Sequence, residues 1–137
     1  MRISKEQHYL DIARAVSKRS TCLRRQYGAI IVKNDEVIAT GYNGSARGEI
    51  NCCDVGTCHR ANNKHNDGNY ADCPAVHAEM NCMLEVARRD MLNSTLYLVG
   101  FENGKEIEAI PCPICDRLIK NAGIAKVINE INEVTYG

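Results

Sequence analysis

The stretch Pro111-Cys112-Pro113-Ile114-Cys115, read together with His77-Ala78-Glu79, decides what the rest of the chain has to build. Two thiols three residues apart in the first turn of a helix point to the same side. With one imidazole they make three protein ligands for zinc and leave the fourth tetrahedral position open, which is typical of a catalytic zinc site. Glu79, two residues after the histidine, is then a candidate for moving protons.

The spacing within each motif also predicts where the ligands lie in the secondary structure. Residues two apart do not share a helix face, so His77 must stand at the very start of its helix if Glu79 is to act beside it. The prolines around Cys112 indicate a second helix entrance, where prolines are tolerated. Unpaired N–H groups and a partial positive charge at that end favour the thiolate form of cysteine. The sequence therefore predicts two helix N-termini that meet around one ion.

Around these motifs the chain alternates helices and strands. Ser4 and Gln7 form a capping box for a first helix that runs to about Lys18. Further helices are predicted from residue 76 or 77 onward and from the Pro111–Pro113 entrance to about Asn121. Short β-branched runs predict four strands, at 28–32, 37–42, 95–99 and 125–128. The alternation predicts an α/β fold, a three-layer α-β-α sandwich with a mixed sheet of four to five strands.

The sequence also makes three local predictions about these elements. The second helix is expected to bury an apolar stripe made of Met80, Met83, Leu84, Ala87 and Met91. A turn at Asn103-Gly104 is expected to return the chain as a short ribbon over 107–110. After Ile128 only a short polar tail is expected.

Composition and charge exclude several classes of function. The 137 residues fit one domain, 1–137. Lys+Arg and Asp+Glu both number 17, whereas chains that grip long nucleic acids usually carry a basic excess, so nucleic acid is disfavoured as a partner. No apolar run approaches the roughly 20 residues of a membrane span, and the N-terminus has no apolar leader. The sequence therefore predicts a cytoplasmic protein with no membrane partner.

The eight cysteines indicate metal binding more than disulfides. They fall short of the roughly 8–10% typical of a disulfide scaffold, and clustered Cys and His in a reducing compartment more often bind metal. Disulfide pairing is the alternative. The segment from about 45 to 76 is rich in Cys and His and longer than the roughly 12–15 residues usual for an irregular loop, so we interpret it as a zinc-binding loop.

Four motifs together carry a resemblance to a known family. They are Cys22-Leu23-Arg24-Arg25-Gln26-Tyr27-Gly28-Ala29, Gly41-Tyr42-Asn43-Gly44, His77-Ala78-Glu79-Met80-Asn81 and Pro111-Cys112-Pro113-Ile114-Cys115. With these the chain resembles the zinc-dependent cytidine deaminases and, among them, the deoxycytidylate (dCMP) deaminases. The resemblance implies hydrolysis of dCMP to dUMP and ammonia in pyrimidine nucleotide metabolism. It implies that His77, Cys112 and Cys115 bind a catalytic zinc and that Glu79 shuttles protons.

The resemblance also implies how a nucleotide would be held. Asn43 is expected to hydrogen-bond the deoxyribose, and the backbone of Ala78 to contact the base. Arg24 and Arg25 are candidates for the 5′-phosphate, because a guanidinium matches phosphate oxygens in a bidentate fork. The alternatives are that Asn43 merely tolerates a tight turn and that the two arginines are solvated surface residues.

Members of this branch often carry a second, structural zinc, and they assemble as dimers or hexamers. The residues that match that second site are Cys22, Cys52, His65 and Cys73, with Cys58 or His59 as substitutes for His65. Cys53 and Cys82 are interpreted as thiols without a metal. The ribbon over 101–110 is longer than usual in the family, and the tail is shorter.

Three other functions compete with a dCMP deaminase. A relative could act on another base, such as tRNA adenosine or a free cytosine nucleoside, although tRNA favours a basic surface that the neutral charge does not supply. A non-catalytic, zinc-stabilised interaction module is the alternative from a different class. The third alternative is a closed structural zinc site with a fourth protein ligand, but Glu79 would have no role in such a site.

Overall fold

The computed structural model describes residues 2–56, 73 and 75–136. Five helices lie in these ranges: α1 (Lys5–Ser17), α2 (Cys52–Val55), α3 (Ala78–Met83), α4 (Arg88–Met91) and α5 (Pro113–Ala122). The strands are β1 (Gln26–Lys33), β2 (Glu36–Tyr42), β3 (Gly44–Ser45), β4 (Ala75–Val76), β5 (Thr95–Glu102), β6 (Lys105–Ile107), β7 (Lys126–Ile128) and β8 (Glu133–Thr135).

The main sheet is mixed, as predicted. Its strands lie in the order β2-β1-β5-β7-β8, and β6 pairs with the C-terminal end of β5. The β5–β7 pair is parallel, and β1, β6 and β8 pair antiparallel with their neighbours. The sheet has six strands instead of four to five, because the ribbon and the tail each add a short one. The short tail expected after Ile128 contains a strand, β8, in which Val134 pairs with Val127 of β7.

Helices cover both faces of the sheet, which confirms the three-layer sandwich. Along β1 the side chains alternate between two apolar clusters, as expected for a strand buried on both sides. Ile30 and Val32 pack with Tyr9 of α1 on one face. Ala29 and Ile31 pack on the other face, in a cluster that includes Ala78 and Cys82 of α3 and Ile119 of α5.

The first helix forms as the sequence predicts, and the two predicted strands that follow it, β1 and β2, pair as a hairpin. The Ser4 side chain caps α1 by accepting a hydrogen bond from the Gln7 backbone N–H at 3.1 Å. Asn34 and Asp35 have φ angles of 52° and 62° between β1 and β2. Two consecutive residues with positive φ form the two-residue hairpin turn whose twist matches that of the strands. Asn and Asp tolerate a positive φ better than most residues.

The apolar stripe predicted for the second helix was largely wrong. The segment forms two short helices, α3 and α4, and Leu84 between them is 79% exposed. Only Met91 of the five stripe residues is fully buried, although Met83 packs against the core. The reason lies at the N-terminus of α3: its phase turns Ala78, Glu79 and Cys82 inward, and this places Leu84 on the solvent side.

No helix within the described parts of the chain is both long and apolar enough to cross a membrane. The longest of them, α1, has 13 residues, against the roughly 20 that a bilayer requires.

Candidate active site

The three predicted zinc ligands come from two helix entrances. His77 is the N-cap residue of α3 and has extended backbone angles, φ −69° and ψ 153°. Cys112 is the N-cap residue of α5, and Cys115 follows in the first turn. An N-cap residue is not yet wound into its helix, so its side chain is free of the helical phase that follows. That freedom is what lets His77 and Glu79 serve the same pocket.

The distances between the donor atoms fit a zinc ion. His77 Nδ1 lies 3.3 Å from Cys115 Sγ and 3.4 Å from Cys112 Sγ. Tetrahedral zinc with bonds of about 2.3 Å to sulfur and about 2.0–2.1 Å to nitrogen would place its ligand atoms roughly 3.6 Å apart. Within residues 2–56, 73 and 75–136 this is the only group of three or more such side chains close enough to share an ion.

The two thiols share a proton in a way that prepares them for a metal. The Cys115 S–H donates a hydrogen bond to Cys112, which lowers the pKa of the Cys112 thiol to about 4 although burial opposes the shift. The same bond, together with burial, raises the pKa of Cys115. The Cys115 backbone N–H also points at Cys112 Sγ at 3.4 Å. A bound cation would favour the thiolate form of both sulfurs and release the protons they hold.

Glu79 lies inside this pocket, in the first turn of α3. Its side chain is 5% exposed. Burial raises the pKa of its carboxyl, and the neighbouring charge of His77 pulls it back in part. A carboxyl with a raised pKa can both take up and return a proton near neutral pH. A closed structural zinc site has no role for such a group.

The family model for the cytidine and deoxycytidylate deaminase zinc-binding region matches residues 3–131, which include both motifs and every element of the sheet up to β7. This chain belongs to that family. Zinc is thus the metal for which the His-Cys-Cys group is suited. The fold class predicted from the sequence is confirmed by the same relationship.

Two relatives show how much of this chain, and of their own length, the family similarity covers. The deoxycytidylate deaminase of Schizosaccharomyces pombe is 34% identical over 93% of this chain, yet the chain spans only 37% of the length of that relative. The deoxycytidylate deaminase of Mycobacterium phage D29 is 36% identical over 90% of this chain and 91% of its own length. The phage protein shows that a family member can be about as short as this chain.

A solved structure extends the comparison to three dimensions. The dCMP deaminase of cyanophage S-TIM5, crystallised in complex with dCMP and dUMP, superposes with a TM-score of 0.67. It is 29% identical to this chain and covers 94% of it and 82% of its own length.

Asn43, predicted to contact the sugar, is buried in a hydrogen-bond network. Its Oδ1 accepts from Ser20 Oγ at 2.6 Å and from the Tyr27 N–H at 2.8 Å. Its Nδ2 donates to the Arg25 carbonyl at 2.9 Å. Asn43 does not adopt a positive φ, so its place in the fold does not depend on the left-handed conformation that Asn tolerates. The network ties β2 to the segment before β1 and fixes the amide in one orientation.

The predicted phosphate ligand Arg25 is engaged by an acid of β5. Its guanidinium donates to Glu102 at 3.0 Å and 3.5 Å and to the Tyr27 hydroxyl at 3.3 Å. Glu102 and the hydroxyl of Tyr27 raise the pKa of Arg25 against the opposing effect of its partial burial, so it stays charged. Arg24 is half-buried beside it. Arg25 is therefore an oriented cation, not a solvated surface residue.

Of the residues predicted for a second zinc, the structure describes Cys22, Cys52 and Cys73. The Cys53 N–H donates to the Thr21 carbonyl, which places Cys52 and Cys22 on neighbouring segments. Cys73 lies two residues before β4, which pairs with β3. Among the described residues these three cysteines do not form a group tight enough to share an ion. His65, Cys58 and His59 lie outside the described residues. The described cysteines form no disulfide, so the disulfide alternative gains no support.

Two asparagines that support the pocket were missed by the sequence reasoning. Asn81 on α3 donates from Nδ2 to the Tyr42 carbonyl at 2.8 Å and so ties the helix of Glu79 to the end of β2. Asn129, directly after β7, is 8% exposed and contacts the segment that leads to Cys112. The turn preference of Asn after a strand was the signal that could have drawn attention to Asn129.

A cavity of about 960 Å³ lies beside Val76, the residue before His77. Its lining includes Arg19, Arg47 and Asn81 as well as Thr21 and Ser45. The hydroxyl oxygens of Thr21 and Ser45 are buried without a hydrogen-bond partner in the described structure. None of the three sulfur and nitrogen donors lines this cavity, so it is separate from the metal pocket.

Proposed function

We propose that this protein hydrolyses dCMP to dUMP and ammonia, with zinc held by His77, Cys112 and Cys115. The observation that carries the proposal is the convergence of the two helix entrances beside the buried carboxyl of Glu79. The cyanophage relative that was crystallised with dCMP and dUMP supports the choice of nucleotide.

The chain supplies the proton transfers that this reaction needs. Glu79 takes a proton from the attacking water and delivers it to the ring nitrogen beside the amino-bearing carbon. It then takes the second proton of that water and gives it to the departing amine, so that ammonia leaves and a carbonyl remains. When bound, zinc would supply Lewis-acid activation of that water near neutral pH. The raised pKa of Glu79 suits a group that must be acid and base in turn.

The substrate is oriented by groups that are already fixed. Within the described structure, one amide hydrogen of Asn43 keeps no partner while its oxygen is fully used, so Asn43 donates a single hydrogen bond to the deoxyribose. Arg25 and Arg24 provide the positive charge for the 5′-phosphate, and the backbone of Ala78 contacts the base. A fixed amide and an oriented guanidinium reduce the entropy lost when the nucleotide binds.

A second, structural zinc is part of the proposal, with Cys22, Cys52, Cys73 and His65 as its ligands. Hydrogen bonding between Cys53 and Thr21 and the β3–β4 pairing bring the three cysteine-bearing segments to one corner. Zinc content separates this site from the catalytic one: wild type should hold two ions per chain and Cys52→Ser one. Cys53→Ser, which removes the adjacent exposed thiol, is the matched control and should keep both. One zinc per chain in wild type would contradict the second site.

Self-association into a dimer or hexamer is proposed to use the exposed side of α5. Ile114 and Leu118, four residues apart on α5, are 50% and 43% exposed, and Ile110, shortly before the helix, is 61% exposed. Exposed apolar patches mark surfaces that a partner covers. Leu118→Glu should shift the mass measured by light scattering to the monomer, whereas Ile3→Glu, on α1's side of the sheet, should not. A wild-type protein that is monomeric at micromolar concentration would contradict this part.

The proposal also covers the domain organisation and the cellular location. The chain acts as one deaminase domain over residues 1–137, with its zinc-binding loop at about 45–76. It works in the cytoplasm, where unmodified nucleotides and reduced cysteines both occur.

One experiment tests the function. Ammonia release is measured with dCMP, dCTP, deoxycytidine, CMP, cytidine and an anticodon stem-loop, and zinc is determined on the same sample. We expect dCMP to give the highest kcat/KM. Preference for the stem-loop would favour the alternative tRNA substrate, and a zinc-loaded protein with no turnover on any of them would favour a non-catalytic module.

A further inference from the structure

The long ribbon that leads to Cys112 is held in place by side chains from outside it, among them Arg14 and Asn129. β6 is fastened to α1, because Arg14 donates to both carboxylate oxygens of Glu106 at 2.8 Å and 3.1 Å. That contact fixes the outward part of the ribbon. The return segment, residues 108–112, lies between β6 and α5 and has no strand or helix of its own.

Asn129 holds this return segment. Its Nδ2 donates to the Ala109 carbonyl at 2.9 Å, and Ala109 is fully buried. Its Oδ1 accepts from the backbone N–H of Ile131 at 2.9 Å and of Asn132 at 2.5 Å. Asn132 in turn donates from Nδ2 to Glu108 at 3.0 Å. A single buried amide therefore orders the turn after β7 and fixes the chain three residues before Cys112.

We propose that Asn129 is a positioning residue for the zinc ligand Cys112, acting through the Ala109 carbonyl. The inference rests on the proposed role of Cys112 as a ligand. Pro111 stiffens the short path from Ala109 to Cys112, so a shift at Ala109 is passed on to the N-cap of α5. Both donor and acceptor of the amide are needed: the oxygen builds the turn, and the nitrogen carries the contact to the ribbon.

The test measures how fast the zinc-loaded protein gives up its metal to an excess of a coloured chelator. Asn129→Asp keeps the acceptor and loses the donor to Ala109; Asn129→Ala loses both. Groups that orient metal ligands typically contribute about 10–100-fold in affinity. We expect Asn129→Asp and Asn129→Ala to accelerate release of the catalytic zinc about 10-fold, and the visible spectrum of cobalt-substituted protein to change.

Ser94→Ala is the matched control. Ser94 is equally buried and donates to the Met91 carbonyl at 2.7 Å, but it lies before β5, at the opposite end of the β5–β7 pair. Its loss should lower the melting temperature without changing the zinc release rate or the cobalt spectrum. If both Asn129 variants release zinc at the rate of Ser94→Ala after equal loss of melting temperature, the proposal is overturned.

The two levels of the proposal fail separately. Zinc release does not depend on turnover, so a protein that proves inactive on dCMP still tests the role of Asn129. If Cys112→Ser keeps the full zinc content, the ligand assignment is wrong, and the role of Asn129 is overturned with it.

Discussion

His77 and Cys112 occupy equivalent places on two different helices: each is the N-cap residue, and the Nδ1 of one lies 3.4 Å from the Sγ of the other. α3 and α5 pack on the same face of the sheet, so their N-termini open toward one pocket. The partial positive charge of two helix ends acts on the thiolate and on Glu79 together.

Glu79→Gln should abolish turnover while the metal stays bound. The amide preserves the shape of the buried side chain but cannot carry a proton, and general acid–base catalysis typically contributes about 10²–10⁴-fold to the rate. The measurement is ammonia release from dCMP together with zinc content. Loss of zinc in this variant would mean that Glu79 acts on the metal site instead of on the proton transfers.

Cys115→Ser should remove the catalytic zinc, whereas Cys82→Ala should not. Both thiols are fully buried, but only Cys115 lies in the donor group, and Cys82 packs in the core beside it. Loss of a well-packed sulfur from the core costs on the order of 1 kcal/mol of stability. Zinc content and thermal unfolding, measured on both variants, separate ligand loss from core loss.

Gly41→Ala should damage the zinc pocket, and Gly28→Ala should not. A Cβ at Gly41 would lie 2.4 Å from the Cys82 nitrogen and 2.5 Å from the Ala78 carbonyl, so α3 would have to move. A Cβ at Gly28 would meet the backbone of α1 on the other face of the sheet. Overpacking typically costs about 1–3 kcal/mol in either case. Both variants should unfold at lower temperature, but only Gly41→Ala should lose zinc faster.

Arg25→Lys should lower kcat/KM more for the nucleotide dCMP than for the nucleoside deoxycytidine. The proposed phosphate contact is charge-assisted and bidentate, and a lysine cannot reproduce the fork. A lost hydrogen bond to a charged group is worth about 1.5–3 kcal/mol, which is roughly a 10–150-fold fall in kcat/KM for dCMP.

Deoxycytidine, which lacks the phosphate, is the internal control for Arg25→Lys. Its kcat/KM should change little. An equal loss for both substrates would show that Arg25 serves only its bond to Glu102.

Tyr136→Phe should change the pH dependence of stability at the acidic end. The Tyr136 hydroxyl donates to Asp116 at 2.6 Å and lowers the pKa of that carboxyl below its ordinary 3.8. A carboxyl with a lowered pKa in the folded state stabilises the protein above its unfolded pKa, and this stabilisation is lost as the pH falls through the folded value.

The variant should therefore be less stable than wild type at pH 7, and the difference should shrink below about pH 4. Because Asp116 is 34% exposed, we expect less than about 1 kcal/mol. Urea unfolding at pH 7 and pH 3 measures it, and a difference that grows on acidification would contradict the assignment.

The parts of the fold that local chemistry determines were predictable from the sequence. The Ser4 cap of α1 and the β-branched strands β1 and β2 each follow from residues that favour one backbone conformation. The helix start at His77 followed from requiring His77 and Glu79 to act on one ion, and the start at Cys112 followed from the prolines on either side of it. The metal pocket was predicted from spacing and donor chemistry together with the resemblance to the zinc-dependent cytidine deaminases.

The parts that depend on distant packing were not predictable. The predicted apolar stripe through Leu84 was wrong, because the inward-facing Glu79 sets which side of α3 faces the core. The spacing of apolar residues in the sequence does not show that constraint. β8 was missed because its side chains are exposed and only its pairing with β7 makes it a strand. The role of Asn129 depends on a carbonyl 20 residues away, which local pattern does not encode.

The pocket joins parts of the chain that are far apart in sequence, since His77 and Cys112 are separated by 35 positions. An ion held between them closes a loop that contains α4, β5 and β6, much as a disulfide bond would. Closing such a loop restricts the unfolded chain, and its stabilising effect grows slowly with loop length. The zinc ion that the proposed reaction uses is therefore also a removable cross-link. A chelator should loosen β5, the central strand of the sheet, as well as stop the reaction.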